Sequence, residues 1–249
     1  MVPDAPGVST AAAPGHDARA AGAHAGRAAA RYAGLMPALR VDVWSDIACP
    51  WCYVGKRRLE AAIARLPEGA VEVVWRAFEL DPAAPRVRSP ATSYAARLAR
   101  KYGRTIAEAE AMIDRMTGIA AADGLTLRFD RIRPGNTFDA HRLLRLARER
   151  GVQGRVKERL FRAYLTEGEA IGEPEVLVRL GAEAGLEPGA VREALAGEAH
   201  AADVRADEQE ASRLGIHAVP FFVLGGKYGV SGAQPVEVLV EALTAHRDA

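Results

Sequence analysis

The chain's two cysteines, Cys49 and Cys52, stand three positions apart in Asp46-Ile47-Ala48-Cys49-Pro50-Trp51-Cys52. Three-residue spacing places both on one helix face, where their sulfurs can meet. At a helix N-terminus, free backbone N–H groups and the positive end of the helix dipole favour a thiolate. Pro50 suits the first helical turn because it has no N–H to leave unpaired. A thiolate held there is a good nucleophile and, in exchange, a good leaving group. The motif is therefore suited to thiol–disulfide exchange. Cys49 is the expected nucleophile, Cys52 the resolving thiol one turn deeper, and Pro50 and Trp51 tune the couple. Zinc would need two further ligands. His141, His200, His217 and His246, the histidines beyond the N-terminal tail, are not paired at ligand spacing, so no metal site is expected.

The elements that must hold this motif are legible on either side of it. Val41–Ser45 alternates and is β-rich, so it reads as a strand. Leu59, Ala62, Ile63 and Leu66 recur at helical spacing, giving a helix from about Cys49 to Leu66 that Pro67 and Gly69 end. Val71, Val73 and Trp75 alternate as a second strand to about Phe78, completing a βαβ unit. From about residue 82 to 200, helix formers dominate. The predicted pieces are 94–102, 106–123, 137–149, 153–166, 174–184 and 188–196, with Asn136 or Thr137 capping the third and Pro174 and Pro188 in first turns. A helix at about 201–214 leads to an apolar strand from Val219 to Leu224. Gly225-Gly226 signals a hairpin, Lys227–Ser231 the partner strand, and Val236, Leu239, Val240 and Leu243 a last amphipathic helix.

This order predicts an α/β fold with a mixed sheet and a large all-helical insertion. The expected divisions are a tail at 1–38, a first sheet-bearing part at 39–82, the helical insertion at 83–200 and a second sheet-bearing part at 201–249. The tail reading rests on residues 1–35, which hold thirteen Ala, five Gly and no Ile, Phe or Trp. Such a segment buries too little apolar surface to offset its ordering entropy. It lacks the apolar run of a secretory signal and the Arg pair of a twin-arginine signal. Met36 is an alternative start. The expected location is the cytoplasm.

Composition narrows the class. The chain has 249 residues, 49% hydrophobic and 26% charged, with a net charge of +1. That balance supports a core of ordinary size without staples. It gives no reason to expect nucleic acid or a membrane as partner. Two cysteines at one place point to chemistry, not to a disulfide framework.

Several segments carry a family resemblance. Asp46–Lys56, with its Cys49-Pro50-Trp51-Cys52 core, resembles the active-site segment of the DsbA family, specifically its FrnE-like branch. Phe78-Glu79-Leu80-Asp81-Pro82, Asn136–Arg142, Val219–Val223 and Lys227–Gln234 are similar to further motifs of that branch. The resemblance covers about residues 40–245. It implies a thioredoxin fold, a cis peptide before Pro220 lying opposite the cysteines, and no permanently bound cofactor beyond the redox-active Cys49–Cys52 disulfide. With a cis turn, the Val219 backbone is free to pair with an extended substrate as an added strand. The alternative is a strand-entry proline. Many relatives place an acid six residues before the first cysteine, where this chain has Val43. Asp46 is a candidate for proton relay or thiolate tuning, although a nearby anion raises a thiol pKa; its plainer reading is a turn residue. Glu79 and His141 are secondary candidates. Their plainer readings are a surface strand end and a satisfied histidine between domains. Trp44 and Trp75 read as core or sheet-face residues. Of Phe221 and Phe222, one is expected in the core and the other beside the site. The Arg142–Arg150 stretch reads as solvated.

The expected function is disulfide exchange with protein or peptide substrates, with glutathione as a possible reductant. One alternative is a glutathione-dependent isomerase or transferase acting on a small aromatic or polyketide-like molecule; such relatives usually carry Ser at the first cysteine position. The other is a redox-independent peptide-binding chaperone.

Overall fold

The structure, a computed structural model, describes residues 37–87 and 92–247. The expectations about residues 1–36, including Met36 as a start, lie outside the described residues. The elements in chain order are β1 (Leu39–Ser45), α1 (Pro50–Ile63), β2 (Val71–Ala77), α2 (Tyr94–Tyr102), α3 (Ile106–Ala122), α4 (Phe138–Glu149), α5 (Gln153–Arg162), α6 (Pro174–Glu183), α7 (Pro188–Ala196), α8 (Ala201–Arg213), β3 (Phe221–Leu224), β4 (Tyr228–Ser231) and α9 (Val236–Arg247). A single π-helical turn, Ala163–Glu167, extends α5.

The sheet has the order β2-β1-β3-β4, with β1 and β2 parallel and the other neighbours antiparallel. Helices cover it, giving the mixed-sheet α/β layout of a thioredoxin fold. The period-2 alternation of β1 decides what lies on each face. Val41 and Val43 join Leu59 and Ala62 of α1 and Leu239 and Leu243 of α9. Trp44 joins Ala211 of α8, Ile216 and Val223. Its indole N–H donates to the Asp207 carbonyl at 2.9 Å. The Asp207 carboxylate in turn accepts from the Ala77 N–H and from Arg76, both at 2.9 Å, tying α8 to the end of β2.

Helix α5 is fastened to β2 by one side chain. The Gln153 amide accepts from the Trp75 N–H and donates to the Trp75 carbonyl, both at 3.0 Å. A side chain thus supplies the hydrogen bonds that a further strand would have made. The rest of α5 buries Val156, Lys157, Leu160 and Phe161.

Local chemistry explains where the elements depart from expectation. The strand begins at Phe221, not Val219, because Pro220 has no N–H for the ladder. Thr137 occupies the N-cap position of α4 without a side-chain bond, while the Asn136 Oδ1 accepts from the Phe138 N–H at 2.7 Å. Pro174 and Pro188 each sit in the first turn of their helix. Gly225 and Gly226 both have positive φ, the conformation that favours glycine in a hairpin turn. The solvated reading of the Arg142–Arg150 stretch is corrected at Arg142, whereas Glu149 and Arg150 are exposed. Arg142 is buried, pairs with Asp139 at 2.8 Å and donates to the Ala199 carbonyl at 2.8 Å, as well as to the carbonyls of Ala194 and Gly197. It thereby satisfies orphan acceptors at and beyond the end of α7.

Candidate active site

Cys49 is the N-cap residue of α1, with φ −97° and ψ 112°, and Pro50 opens the helix. The Cys52 N–H donates to the Cys49 carbonyl at 3.1 Å, which closes the first turn and places Cys52 directly behind Cys49. Both thiols are free. Cys52 is fully buried and Cys49 is 6% exposed, while Trp51 between them is 42% exposed and stands at the rim.

The two thiols differ in acidity for identifiable reasons. The Cys52 thiol, hydrogen-bonded to Cys49, holds the Cys49 pKa below the ordinary thiol range against the effect of burial; the N–H groups of Cys52 and Trp51 help, and the Asp46 charge opposes. For Cys52, burial raises the pKa well above that range, and the Cys49 thiolate adds to it. One motif therefore holds an acidic thiol at the surface side and a reluctant one behind it. Such a pair can form a mixed disulfide at Cys49 and close onto itself.

The Val219–Pro220 peptide is cis, and the Cys49 S–H donates to the Val219 carbonyl at 3.6 Å. The two segments are 170 residues apart in sequence. Close approach at this point depends on Gly55: a Cβ there would lie 2.8 Å from Pro220 Cγ and 3.5 Å from Phe222 Cζ. Phe222 is in the core between sheet and α1, whereas Phe221 packs with Trp44, Ile216 and Val223 and closely approaches Gly229.

Asp46 lies beneath this arrangement, 1% exposed. Its Oδ1 accepts from the Ala48 N–H at 3.2 Å and its Oδ2 from the Leu80 N–H at 2.8 Å. Burial pushes its pKa up, but His141 and these N–H groups outweigh that and hold it below the usual carboxylate range. His141 is itself buried, with Nε2 3.6 Å from Asp46 Oδ1. That is too long for a formed hydrogen bond, and Nε2 has no hydrogen-bond partner among the described residues. The expectation of a satisfied histidine is therefore corrected. The surface reading of Glu79 is corrected too. Glu79 is 6% exposed, accepts from Arg205 at 2.6 Å and from Asn136 at 3.0 Å, and burial raises its pKa to about 7 despite the Arg205 charge.

The structure thus gathers Asp46, Cys49, Cys52, His141, Val219 and Pro220 in one place. Glu79 joins them through its neighbour Leu80. Two residues were missed from sequence. Tyr94, at the start of α2, has its pKa pushed to about 12 by burial first and by Cys49 second. Lys157 of α5 is fully buried, with Nζ 3.5 Å from the Ser45 carbonyl. A signal existed for Lys157: it falls on the apolar stripe formed by Val156, Leu160, Phe161 and Tyr164. Among the described residues, no group of three or more His, Cys, Asp or Glu side chains could hold a metal. Also among them, no helix is long and apolar enough to cross a membrane.

Comparison with known proteins places this fold. Residues 40–244 match the model of the DsbA-like thioredoxin domain. The crystal structure of the probable DsbA oxidoreductase SCO1869 from Streptomyces coelicolor is 46% identical, covering 84% of this chain and 89% of that one, with a TM-score of 0.78. Two more distant structures share the fold. A 2-hydroxychromene-2-carboxylate isomerase is 16% identical, with 83% and 95% of the two chains covered and a TM-score of 0.60. The cytosolic disulfide reductase DsbM from Pseudomonas aeruginosa is 21% identical, with 85% and 100% covered and a TM-score of 0.56. One fold thus carries both redox and isomerase chemistry. A match over most of its length to the DsbA-like model, and nearly half identity with a probable DsbA oxidoreductase, mean that this chain belongs to the DsbA-like thioredoxin-domain family.

Proposed function

We propose that the chain is a thiol–disulfide oxidoreductase that exchanges disulfides with protein or peptide substrates through Cys49 and Cys52, in the cytoplasm. The observation that carries this reading is the placement of two free thiols at the start of α1, with Cys49 at the N-cap facing the Val219 carbonyl at 3.6 Å and Cys52 buried behind it. The Cys49 thiolate attacks a substrate disulfide and forms a mixed disulfide as one substrate sulfur leaves. Cys52 then attacks Cys49, the mixed disulfide breaks, and the second substrate sulfur leaves. Two electrons pass from the protein thiols to the substrate, and the reverse sequence oxidises a substrate dithiol. Pro50 and Trp51 tune the couple, and the exposed Trp51 adds an apolar rim. The backbone at Val219, beside Pro220, pairs with an extended substrate strand. Glutathione is a fitting reductant for the Cys49–Cys52 disulfide.

The test is a pair of variants assayed on a disulfide-bonded peptide. Cys49→Ser should abolish exchange. Cys52→Ser should accumulate a mixed disulfide visible by mass. Full exchange by Cys49→Ser would refute the assignment. Saturable glutathione-dependent turnover of a small aromatic substrate that survives Cys52→Ser would favour the isomerase reading instead.

A further inference from the structure

Resolution of the mixed disulfide requires Cys52 to become a thiolate inside the protein. Burial and the neighbouring Cys49 both oppose that ionisation. The strand residue six positions before Cys49 is the fully buried Val43, paired between Trp75 of β2 and Phe222 of β3. No proton acceptor exists there.

Lys157 is among the largest fully buried side chains of the described residues. Its Nζ is 3.5 Å from the Ser45 carbonyl, at the end of the strand that leads into the Cys49 turn. It lies 4.8 Å from the Phe161 ring centroid and 5.4 Å from that of Trp75. Phe161 stacks at 4.9 Å on Tyr53, the residue after Cys52. A buried ammonium with an aromatic cage and one carbonyl is poorly compensated. Burial accordingly pushes the Lys157 pKa down to about 8, while Cys52, then Asp46 and Cys49, hold it up and Lys56 opposes them. Those groups come from the β1–α1 segment and from α1. Trp75 of β2 and Phe161 of α5 bring no charge, and His141 of α4 faces Asp46 at 3.6 Å.

Other nearby groups are less suited. The Asp46 carboxylate is held ionised by backbone N–H groups and His141, so it is a weak base. Glu158 is occupied by Tyr53, Lys56 and Arg57.

We propose that Lys157 is the proton acceptor for Cys52, a general base that makes the resolving thiol ionisable from the α5 side of the site. The inference rests on the Cys49–Cys52 exchange reading above. With a mixed disulfide on Cys49, the Cys52 proton passes to neutral Lys157. The Cys52 thiolate attacks Cys49 Sγ, the Cys49–substrate S–S bond breaks, and the electron pair leaves on the substrate sulfur. The Lys157 ammonium then gives up its proton, which reprotonates the departing thiolate, and Lys157 ends neutral as it began.

A symmetrical aryl disulfide, 5,5′-dithiobis(2-nitrobenzoate), separates the two steps. Attack by Cys49 releases the first coloured thiolate, and resolution by Cys52 releases the second. Lys157→Met should leave the first phase intact and slow the second by about 10²-fold, at the lower end of general-base effects. It should also remove the rise of that phase with pH through the mildly alkaline range. Lys157→Arg keeps the charge but cannot give up its proton, so it should resolve as slowly as Lys157→Met. A second phase in Lys157→Met within about 2-fold of the parent, or rescue by Arg, overturns the inference. Absence of the first phase in the parent would instead sink the exchange reading. If the variants do not fold, the Lys157 amine can be titrated by NMR in the unaltered reduced protein. Titration near pH 8 supports the inference, and titration in the ordinary lysine range refutes it.

Discussion

Helix α1 is buried at both ends, but against different neighbours. Its C-terminal half, with Leu59 and Ala62, meets the strands and α9 through aliphatic contacts. Its N-terminal half, with Cys52, Tyr53 and Val54, belongs to the cluster built by helices α3–α7 and the segment between α3 and α4. There the contacts include polar ones. The Tyr53 hydroxyl donates to Glu158 at 2.7 Å, the Lys56 ammonium to Glu158 at 2.5 Å, and the buried Lys157 Nζ lies 3.5 Å from the Ser45 carbonyl. One end of the helix is held by the sheet. At the other end, the inserted helices set the chemical environment of the cysteines.

That division can be broken most directly by truncating each side. Phe161→Ala and Leu59→Ala should cost about 3–5 and 2–5 kcal/mol respectively, as large-to-small core substitutions do. Denaturant titration measures both. Only Phe161→Ala should also shift the pH dependence of thiol alkylation, because Phe161 packs on Lys157 and Tyr53. Equal shifts from both variants would dissolve the comparison.

Lys157→Met sharpens it with a change of opposite sign. The folded pKa of about 8 lies below the unfolded value of 10.5, so folding costs free energy below pH 8. Wild-type stability gains from this group as pH rises from about 8 to 10.5. The variant should therefore be more stable by about 3 kcal/mol at pH 7, an advantage that fades across that window. Loss of stability at pH 7 would show that the charge is structurally required.

Gly55→Ala probes where α1 meets the Val219–Pro220 segment. Its Cβ would crowd Pro220 Cγ at 2.8 Å. A net loss of about 1–2 kcal/mol is expected, since overpacking outweighs the gain in helix propensity. Exchange with a peptide disulfide should slow more than reaction with a small aryl disulfide. The smallest effect is expected from Asp46→Asn. Removing the anion should lower the Cys49 pKa, read from the pH dependence of alkylation rates. The depressed pKa of Asp46 also adds stability above the ordinary carboxylate range that is lost as pH falls through its folded value. The variant should lack that part of the acid sensitivity.

The sheet-held half was the more legible in sequence. Alternation in Val41–Ser45, helical spacing at Leu59–Ile63 and the Gly225-Gly226 turn are local signals, and each corresponds to an observed element. The environment of the thiols was not local. Lysine is ordinarily a solvated residue, so burial of Lys157 follows only when α5 docks through Gln153 onto Trp75. Glu79 and His141 were noticed by motif, but their burial depends on Asn136, Arg205 and Asp46 arriving from other elements. The cap from Asn136 was legible because it acts across two residues.

The long separation between Cys49 and Val219 has a consequence for synthesis. The cysteines leave the ribosome about 110 residues before Lys157 and 170 before the carbonyl that meets Cys49. By then β1, α1 and β2 can already pair as a local unit, but β3 cannot yet dock on the free edge of β1. Throughout that interval the two thiols lack their later neighbours and should react with alkylating agents as ordinary cysteines do. Their unequal acidity would emerge only as the inserted helices that bury Cys52 are translated and dock.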